Sequence, residues 1–354
     1  PPTSEPEMLE TSEVTDAELE ELLAEAAPAY REGERIEAYP PRPPPRPLDV
    51  PRDSRALPKV IVALDPEVVQ LVDRLMKGGE AGEAAKETLQ ELGASALAAI
   101  MSRFPGPTRV DRTTPPSQLP APGDAGPLLG LLTKLGRLAL REILARVSDP
   151  LPDTRFWATY LLTDIVDPES APILVPRLVD DDPAVRRVAA FAARALVEHV
   201  DGTSAPIVDP LIGVVLDAGA TASLRVRAAL ALGDVRDARA AEGLILGLES
   251  YEKDVGAACH DALCVLARTD ATRGGGTWPS WFNANKDRSR IEWLIDALMD
   301  DDEPTRDAAA AELKARTKMY FGYYANLSTA ERKGAQRRYR TWWETEGKKK
   351  LAGR

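Results

Sequence analysis

The sequence predicts an all-α fold of the α-solenoid class, in which antiparallel helix pairs stack into a superhelix. The first reason is an internal repeat, because the hexapeptide at 185–190, Val-Arg-Arg-Val-Ala-Ala, has several related copies. The second reason is that the copies are preceded by another amphipathic helical segment, such as residues 173–178. Each pair exposes an apolar face that only the next pair can cover, so stability depends on stacking. The copies begin at Thr154, Val185, Leu224, Val255 and Thr305.

Residues 179–196 form the clearest helix of the repeat. Their acidic turn ends at Pro183, whose fixed φ suits the first residue of a helix. Because most of the apolar residues after it are small, another helix can approach this face closely. The face is therefore expected to pack against another copy of the repeat rather than a ligand. Its apolar positions recur every three or four residues, at Val185, Val188, Ala189, Ala192 and Leu196.

The repeat arginines have a fixed relation to the turns before them. An aspartate lies six residues before the arginine in three copies, at Asp149, Asp180 and Asp300, whereas Gly219 and Ser250 occupy this place in the other two. The spacing predicts that each arginine meets a turn carboxylate or carbonyl, in its own repeat or the next. We expect these arginines to be structural.

Composition and periodicity divide the chain into six segments. Residues 1–39 carry twelve acids against Arg31 and Arg35, a net charge of −10, and are expected to form a disordered arm. A Pro-rich linker follows at 40–58, then degenerate helical repeats at 59–104 and a Pro-rich loop at 105–127. The main repeat solenoid covers 128–326, and a basic Trp-containing C-terminal cap or tail covers 327–354.

Charge and hydropathy restrict the partners. The chain has a net charge of −11, and since residues 331–354 carry +6, the body between the two charged ends has about −7. Such a body lacks the basic surface that nucleic acids require, so no nucleic-acid partner is expected. There is no apolar run of membrane-spanning length and no visible signal peptide, which indicates a cytoplasmic protein. The first residue is Pro1, so a leader or a further domain can precede it.

Residues with reactive side chains are scarce. Cys259 and Cys264 are the only cysteines, too few for a disulfide framework. Together with His260 they lie on one helix and cannot all converge, so no metal site is expected. The sequence also lacks a nucleophile elbow, a zinc-protease motif, a Walker motif and a dinucleotide fingerprint. We therefore expect no catalytic residues, no cofactor and no enzymatic activity.

The repeats resemble a known family. The pattern Asp-Asp-x-x-Val-Arg-x-x-Ala-Ala-x-Ala-Leu at 181–196, with Leu-Arg-Val-Arg-Ala-Ala-Leu-Ala-Leu-Gly at 224–233, is similar to bacterial HEAT repeats. The most similar variant is the short repeat also found in phycobilisome lyase subunits. The resemblance extends over about residues 128–318 and is degenerate over 65–104. It implies a superhelix of helix pairs, and members of this family serve mostly as binding scaffolds for unrelated partners.

Two aromatic cassettes follow the repeats. Their shared spacing is aromatic-x-x-Trp-aromatic, and each comes after an Ala-Arg-Thr at the end of a repeat. On short helices such residues form broad apolar faces, which favour capping the end of the solenoid. The alternative is a site that anchors a ligand or partner, since Trp and Tyr are common interface anchors. The residues in question are Trp278, Trp281, Tyr339, Trp342 and Trp343.

The repeat array and the missing catalytic motifs favour a non-enzymatic scaffold that presents a concave helical surface to another protein. Arg187, Arg194 and Arg227 are the expected contacts on the inner helices, because arginine is enriched at interfaces. The resemblance implies one alternative, a lyase-type protein or subunit that acts on a bilin chromophore-protein. Similarity to HEAT-like DNA glycosylases is a third interpretation, which the acidic body disfavours.

Overall fold

The structure is a computed structural model that describes residues 64–115 and 118–351. The described residues all belong to one unit. The predicted arm at 1–39, the predicted linker at 40–58 and residues 59–63 lie outside the described residues. Every regular element in the described part is helical, as the sequence predicts.

Most of the helices follow one another through short turns. The first half contains α1 (Pro66–Lys77), α2 (Gly79–Leu92), α3 (Leu97–Ser102), α4 (Pro127–Leu135), α5 (Leu140–Val147), α6 (Pro152–Leu161), α7 (Ala171–Leu178) and α8 (Pro183–His199). The second half contains α9 (Ser204–Leu216), α10 (Ala222–Val235), α11 (Ala240–Gly247), α12 (Lys253–Ala267), α13 (Trp278–Asn285), α14 (Arg290–Ala297), α15 (Glu303–Thr317) and α16 (Thr329–Trp342). Longer segments separate α3 from α4, α12 from α13 and α15 from α16. A π-helical turn, Trp343–Gly347, leads into α17 (Lys348–Leu351). None of the helices of the described part is both long and apolar enough to cross a membrane.

The helices stack in two rows. Helices α5, α7, α9 and α11 contact one another in sequence and form one row, which we call the outer row. Helices α6, α8, α10 and α12 form a second row in the same way, which we call the inner row, and each packs against its partner in the outer row. One apolar core runs between the rows from Val68 to Trp293, and a second core begins at Ile291 and includes α14, α15 and α16. This arrangement is an α-solenoid.

Helix α8 has the features that its sequence predicts. Asp182 is the N-cap, and its carboxylate accepts hydrogen bonds from the amides of Ala184 at 2.8 Å and Val185 at 3.3 Å. Pro183 is the first helical residue, where its missing amide hydrogen costs nothing. All five predicted apolar positions are buried in the core. The helix runs three residues beyond the predicted end, to His199.

The repeat arginines bind the turns that precede them, as predicted. Arg186 donates to the carbonyls of Asp180 and Asp181, which lie six and five residues earlier. Arg306 binds its own turn in the same way. Arg155 also reaches the next repeat, where it donates to both carboxylate oxygens of Asp180, at 3.0 and 2.9 Å. These guanidinium groups satisfy turn carbonyls and fix the distance between successive repeats.

The Pro-rich segment at 105–127 packs onto the solenoid in its described parts. The amide of Arg109 donates to the carbonyl of Ala125 at 2.8 Å, which closes the segment on itself. The Tyr160 hydroxyl on α6 donates to the carbonyl of Pro120 at 2.8 Å. Arg112 pairs with Asp182 at the start of α8. The segment therefore contacts two successive inner helices.

Small residues let the inner helices approach one another closely. A Cβ atom placed on Gly233 of α10 would lie 2.9 Å from the Cα atom of Ala262 on α12. A real Cβ atom needs more room than this, so glycine is required there. By contrast, a Cβ atom on Gly213 of α9 would meet no atom within 4 Å.

The replacement Gly233→Ala is expected to destabilise the protein by about 1–3 kcal/mol, because α10 and α12 must move apart. The matched change Gly213→Ala is expected to stabilise it by about 1 kcal/mol, since alanine favours a helix and this site is open. Chemical denaturation of the two variants measures both effects. Equal effects of the same sign would contradict the proposed close contact.

Candidate functional site

The inner row is curved where its helices end. Helices α8, α10 and α12 are successive members of the row, and α15 comes later in the chain. Nevertheless, Glu198 at the end of α8 pairs with Arg316 at the end of α15 at 2.9 Å. Two other inner helices, α10 and α12, lie between α8 and α15. The ends of α8 and α15 can meet only if the row curves so that the C-terminal ends of its helices converge. We call the exposed side of α8, α10 and α12 the inner face.

A buried carboxylate lies where these helix ends converge. The Glu312 side chain on α15 is only 5% exposed, and guanidinium groups surround it. Arg290 donates to it at 2.6 Å and Arg268 at 3.0 Å. Arg236 and Arg316 lie within 3.3 Å of the same carboxylate. We call Glu312 and these four arginines the arginine hub.

The hub joins separate elements of the fold. Arg236 and Arg268 are the C-caps of α10 and α12, Arg290 begins α14, and Arg316 lies on α15 with Glu312. Arg290 also donates to the carbonyl of Leu266 in the last turn of α12. A helix C-terminus carries partial negative charge, so guanidinium groups are favoured there. The helix ends thus compensate part of the excess positive charge of the hub.

Burial and charge shift the pKa values of the hub in opposite directions. Burial alone would raise the pKa of Glu312, but Arg290, Arg236 and Arg268 lower it to about 2. Burial lowers the pKa of Arg236 to about 10, with help from Arg194 and Arg268. Glu312 and Arg236 are therefore both ionised at neutral pH.

Two hub arginines adopt an unusual backbone conformation. Arg236 and Arg268 have φ values of 60° and 57°, in the left-handed region, and Lys318 after α15 has 57°. Glycine is the common residue at such C-cap positions, because a Cβ atom is unfavourable there. The side chains of Arg236 and Arg268 bind Glu312, which offsets this cost. Such strain frequently marks functional positions.

A cavity of about 830 Å³ opens beside the hub. It lies between the end of α8, the start of α14 and the end of α15. Its lining includes Arg290 and Arg316 of the hub, the acidic Glu198 and the apolar Ile291 and Trp343. A mixed lining of this kind can take a side chain that has both apolar and charged parts.

The predicted contact arginines differ in their surroundings. Arg187 is exposed on α8 and makes no ion pair with any described residue. Arg227 on α10 is half-buried and pairs with Asp181 at 2.5 Å. Arg194 is half-buried, donates to the carbonyl of Asp234 at 3.1 Å and lies over the Phe191 ring. Of the three, only Arg187 is exposed for contact with a partner.

The first aromatic cassette lies inside the fold. Trp278 is 2% exposed and packs edge-to-face on Trp281, with 5.6 Å between ring centroids. Trp281 packs in turn against Trp293 of α14 at 4.9 Å. Trp278 and Trp293 belong to the large apolar core, Trp281 packs against it, and α14, α15 and α16 follow this cassette in the chain.

The second cassette lies in the C-terminal core. Tyr339, Trp342 and Trp343 are buried there, and the Tyr339 ring packs edge-to-face on Phe321 at 4.7 Å. Gly347 gives the two tryptophans room, since a Cβ atom there would lie 2.6 Å from the Trp343 ring. The residues of this cassette cover α14 and α15.

The hub is not apparent from the sequence. Arg236 and Arg268 share the C-cap position of successive inner helices, whereas Arg290 and Arg316 lie at other places in their helices. The only sequence signal is an arginine directly after the last helical residue at 236 and 268. A C-cap arginine in place of glycine could have indicated a side chain with a specific contact. The partner, Glu312, comes close only through tertiary structure.

Comparisons with known proteins identify no family for this chain. No family model matches the chain, and no curated protein matches it significantly. Among solved structures, an engineered protein is 18% identical, with a TM-score of 0.27 over 72% of this chain and 98% of that chain. Computationally designed armadillo repeat proteins for modular peptide recognition are 14% identical, with a TM-score of 0.28 over 70% of this chain and 99% of theirs. Such low TM-scores do not align individual residues, so the site is interpreted from its own geometry.

Neutralising the hub carboxylate is expected to destabilise the protein. The variant Glu312→Gln leaves four arginines without their shared anion and should cost about 3 kcal/mol at pH 7. In the wild type this stabilisation is complete above the unfolded pKa of about 4.5 and disappears as the pH falls toward 2. Denaturation at a series of pH values should therefore show a weaker acid dependence in the variant between pH 4.5 and 2.

Glu303→Gln on the same helix is the matched control. The Glu303 carboxylate is exposed and lies 3.8 Å from Arg306, so its neutralisation should change stability by less than about 1 kcal/mol. Equal losses in the two variants would contradict the central role of Glu312.

Replacing the left-handed C-cap residues by glycine distinguishes the cost of backbone strain from the contribution of the side-chain contacts. Lys318→Gly should stabilise the protein by about 1 kcal/mol, because glycine removes the strain and Lys318 is not part of the hub. Arg268→Gly removes the same strain but also two hydrogen bonds to Glu312, and should be destabilising. Thermal denaturation of both variants tests this, and stabilisation by Arg268→Gly would show that the hub contact contributes little.

Proposed function

We propose that this protein is a non-enzymatic scaffold of HEAT-type repeats that binds a protein partner on its inner face. The observation that supports this most directly is a contiguous patch on α8 and α10. Arg187 is exposed there beside the half-buried Phe191, and Leu230 is 44% exposed one turn after Arg227. Arginine and aromatic residues are enriched at protein interfaces, and an exposed leucine among them adds apolar area.

The patch is continuous across the two helices. Arg227 of α10 pairs with Asp181 in the turn before α8. Near the other end, Arg194 of α8 donates to the carbonyl of Asp234 of α10. Because these contacts keep the helices side by side, an extended segment of a partner can contact both at once.

The arginine hub supports this function by keeping the inner helices in place. It fixes the ends of α10 and α12 against α15, so the patch has its shape before the partner arrives. A surface that is already organised binds with a smaller loss of conformational entropy. The cavity beside the hub offers room for one larger side chain of the same partner.

The C-terminal segment has a separate role in this proposal. We propose that residues 327–354 act as a cap, with Tyr339, Trp342 and Trp343 covering the apolar side of the last helix pair. Their burial against α14 and α15 supports a structural role rather than an anchor for a ligand. A solenoid needs such a cap, because its last repeat has no successor.

Charge reversal on the inner face tests the proposed partner site. The variant Arg187→Glu should weaken capture of the partner by about tenfold or more, since it removes a central contact and introduces a repelling charge. The full chain serves as bait in lysate of its native cells, and the amount of a stoichiometric partner is quantified. A photo-crosslinking residue at position 187 should label the same partner.

Arg141→Glu is the matched control, because Arg141 is exposed on α5 of the outer row. This variant should capture the partner as the wild type does, and a crosslinker at position 141 should not label it. Equal capture by both variants, with no crosslink from position 187, would exclude the inner face as the binding surface.

A further inference from the structure

Three potential metal ligands meet at the end of α12. His260 and Cys264 lie one turn apart on this helix, and Asp270 follows in the next loop. One donor atom from each residue lies within 4.8 Å of the other two. From the sequence alone, Cys259 rather than Asp270 is the third potential ligand near His260 and Cys264. Cys259 is fully buried against Gly247 of the outer row and does not belong to this cluster.

The helical pair already has a suitable separation. The His260 Nδ1 atom lies 3.8 Å from the Cys264 Sγ atom. In a tetrahedral zinc site, nitrogen and sulfur ligands at 2.0–2.1 and 2.3 Å from the metal are about 3.5 Å apart. A shift of a few tenths of an ångström brings the pair into coordination. Asp270, on a turn rather than a helix, has to move further to complete the set.

The surroundings are negatively charged. The Asp261 carboxylate lies 3.7 Å from His260 Nδ1, and that of Asp270 lies 3.4 Å from His260 Nε2. The one cation that faces the cluster among the described residues is Arg273. Its Nη1 atom pairs with Asp300 at 2.9 Å, and its Nε atom lies 3.7 Å from the carboxylate of Asp270, so three carboxylates surround one guanidinium group and one imidazole. A divalent cation would therefore be attracted to this site.

The same surroundings disfavour a reactive cysteine. Burial, followed by Asp270 and Asp261, raises the pKa of Cys264 to about 12, so the side chain is a thiol at neutral pH. Nucleophilic catalysis requires a thiolate, so the Cys264, His260 and Asp270 arrangement is not an activated catalytic triad.

Trp278 limits the freedom of the histidine. Its ring lies edge-to-face with the His260 ring, with 6.0 Å between centroids. Trp278 belongs to the large apolar core, so one side of the cluster is closed by a fixed aromatic group. Ligands held in place by their neighbours bind a metal with less loss of entropy.

We propose that His260, Cys264 and Asp270 bind a soft divalent cation of the zinc class. On binding, the metal replaces the Sγ proton of Cys264, which leaves to solvent, and water takes the fourth position. A thiolate and an imidazole favour zinc over magnesium or calcium. The metal would tie the end of α12 to the following loop, and this role is independent of the proposed partner site.

Cobalt titration of the full chain, after removal of metals with a chelator, tests the proposal. We expect one Co²⁺ per chain with a thiolate-to-cobalt charge-transfer band in the near ultraviolet, and displacement of this band by Zn²⁺. The variant Cys264→Ala should lose the band. Asp270→Asn should weaken binding by about tenfold or more, since even residues that only orient a ligand cost this much.

Cys259→Ala is the matched control, because it removes the other thiol of the same helix. It should keep both the band and the affinity. If Cys264→Ala fails to fold, His260→Gln gives the same test with the thiol intact, and it should weaken binding at least as much as Asp270→Asn. Absence of the band in the wild type, or its loss in Cys259→Ala and not in Cys264→Ala, would overturn the proposal.

Discussion

The shared use of one carboxylate by four arginines determines how the inner helices end. Glu312 is almost inaccessible to water, and an isolated charge in such a place would be very unfavourable. The four guanidinium groups stabilise the buried carboxylate, but only while α10, α12, α14 and α15 all keep their positions. The position of each helix end therefore depends on the others, and the shape of the inner face depends on all of them.

Two kinds of arginine contact have different effects in this fold. The repeat arginines, such as Arg186 and Arg306, bind carbonyls of their own turns, and Arg155 also reaches the adjacent repeat. The hub arginines Arg236 and Arg268 reach a residue that is 76 and 44 positions away in sequence. The first kind makes each repeat regular, whereas the second joins several repeats to one another. Close packing of small residues, as at Gly233, makes both sets of distances possible.

Local features of the sequence predicted the fold class and the turn contacts, because these depend on short-range periodicity. The spacing of six residues between Asp180 and Arg186 is sufficient to predict their turn.

The hub could not be predicted in this way, since nothing in sequence relates Arg290 to Glu312 except the path of the whole chain. The burial of Arg194 and Arg227 was missed for a related reason, because their partners Asp234 and Asp181 come from neighbouring repeats. Asp270 was not recognised as a potential ligand because it lies in a loop and does not share the helical spacing of His260 and Cys264.

The hub also has a consequence for the evolution and unfolding of the array. In a simple solenoid each repeat contacts only its neighbours, so repeats can be added or lost and can unfold one at a time. Here Glu198 and Glu312 connect α8 and α15 through Arg316, across the helix pairs that lie between them. Insertion or deletion of one pair would move these groups out of reach. The ion pairs of Arg316 with Glu198 and Glu312 thus fix the number of repeats from α8 to α15. These helices form one cooperative unit rather than a chain of interchangeable modules.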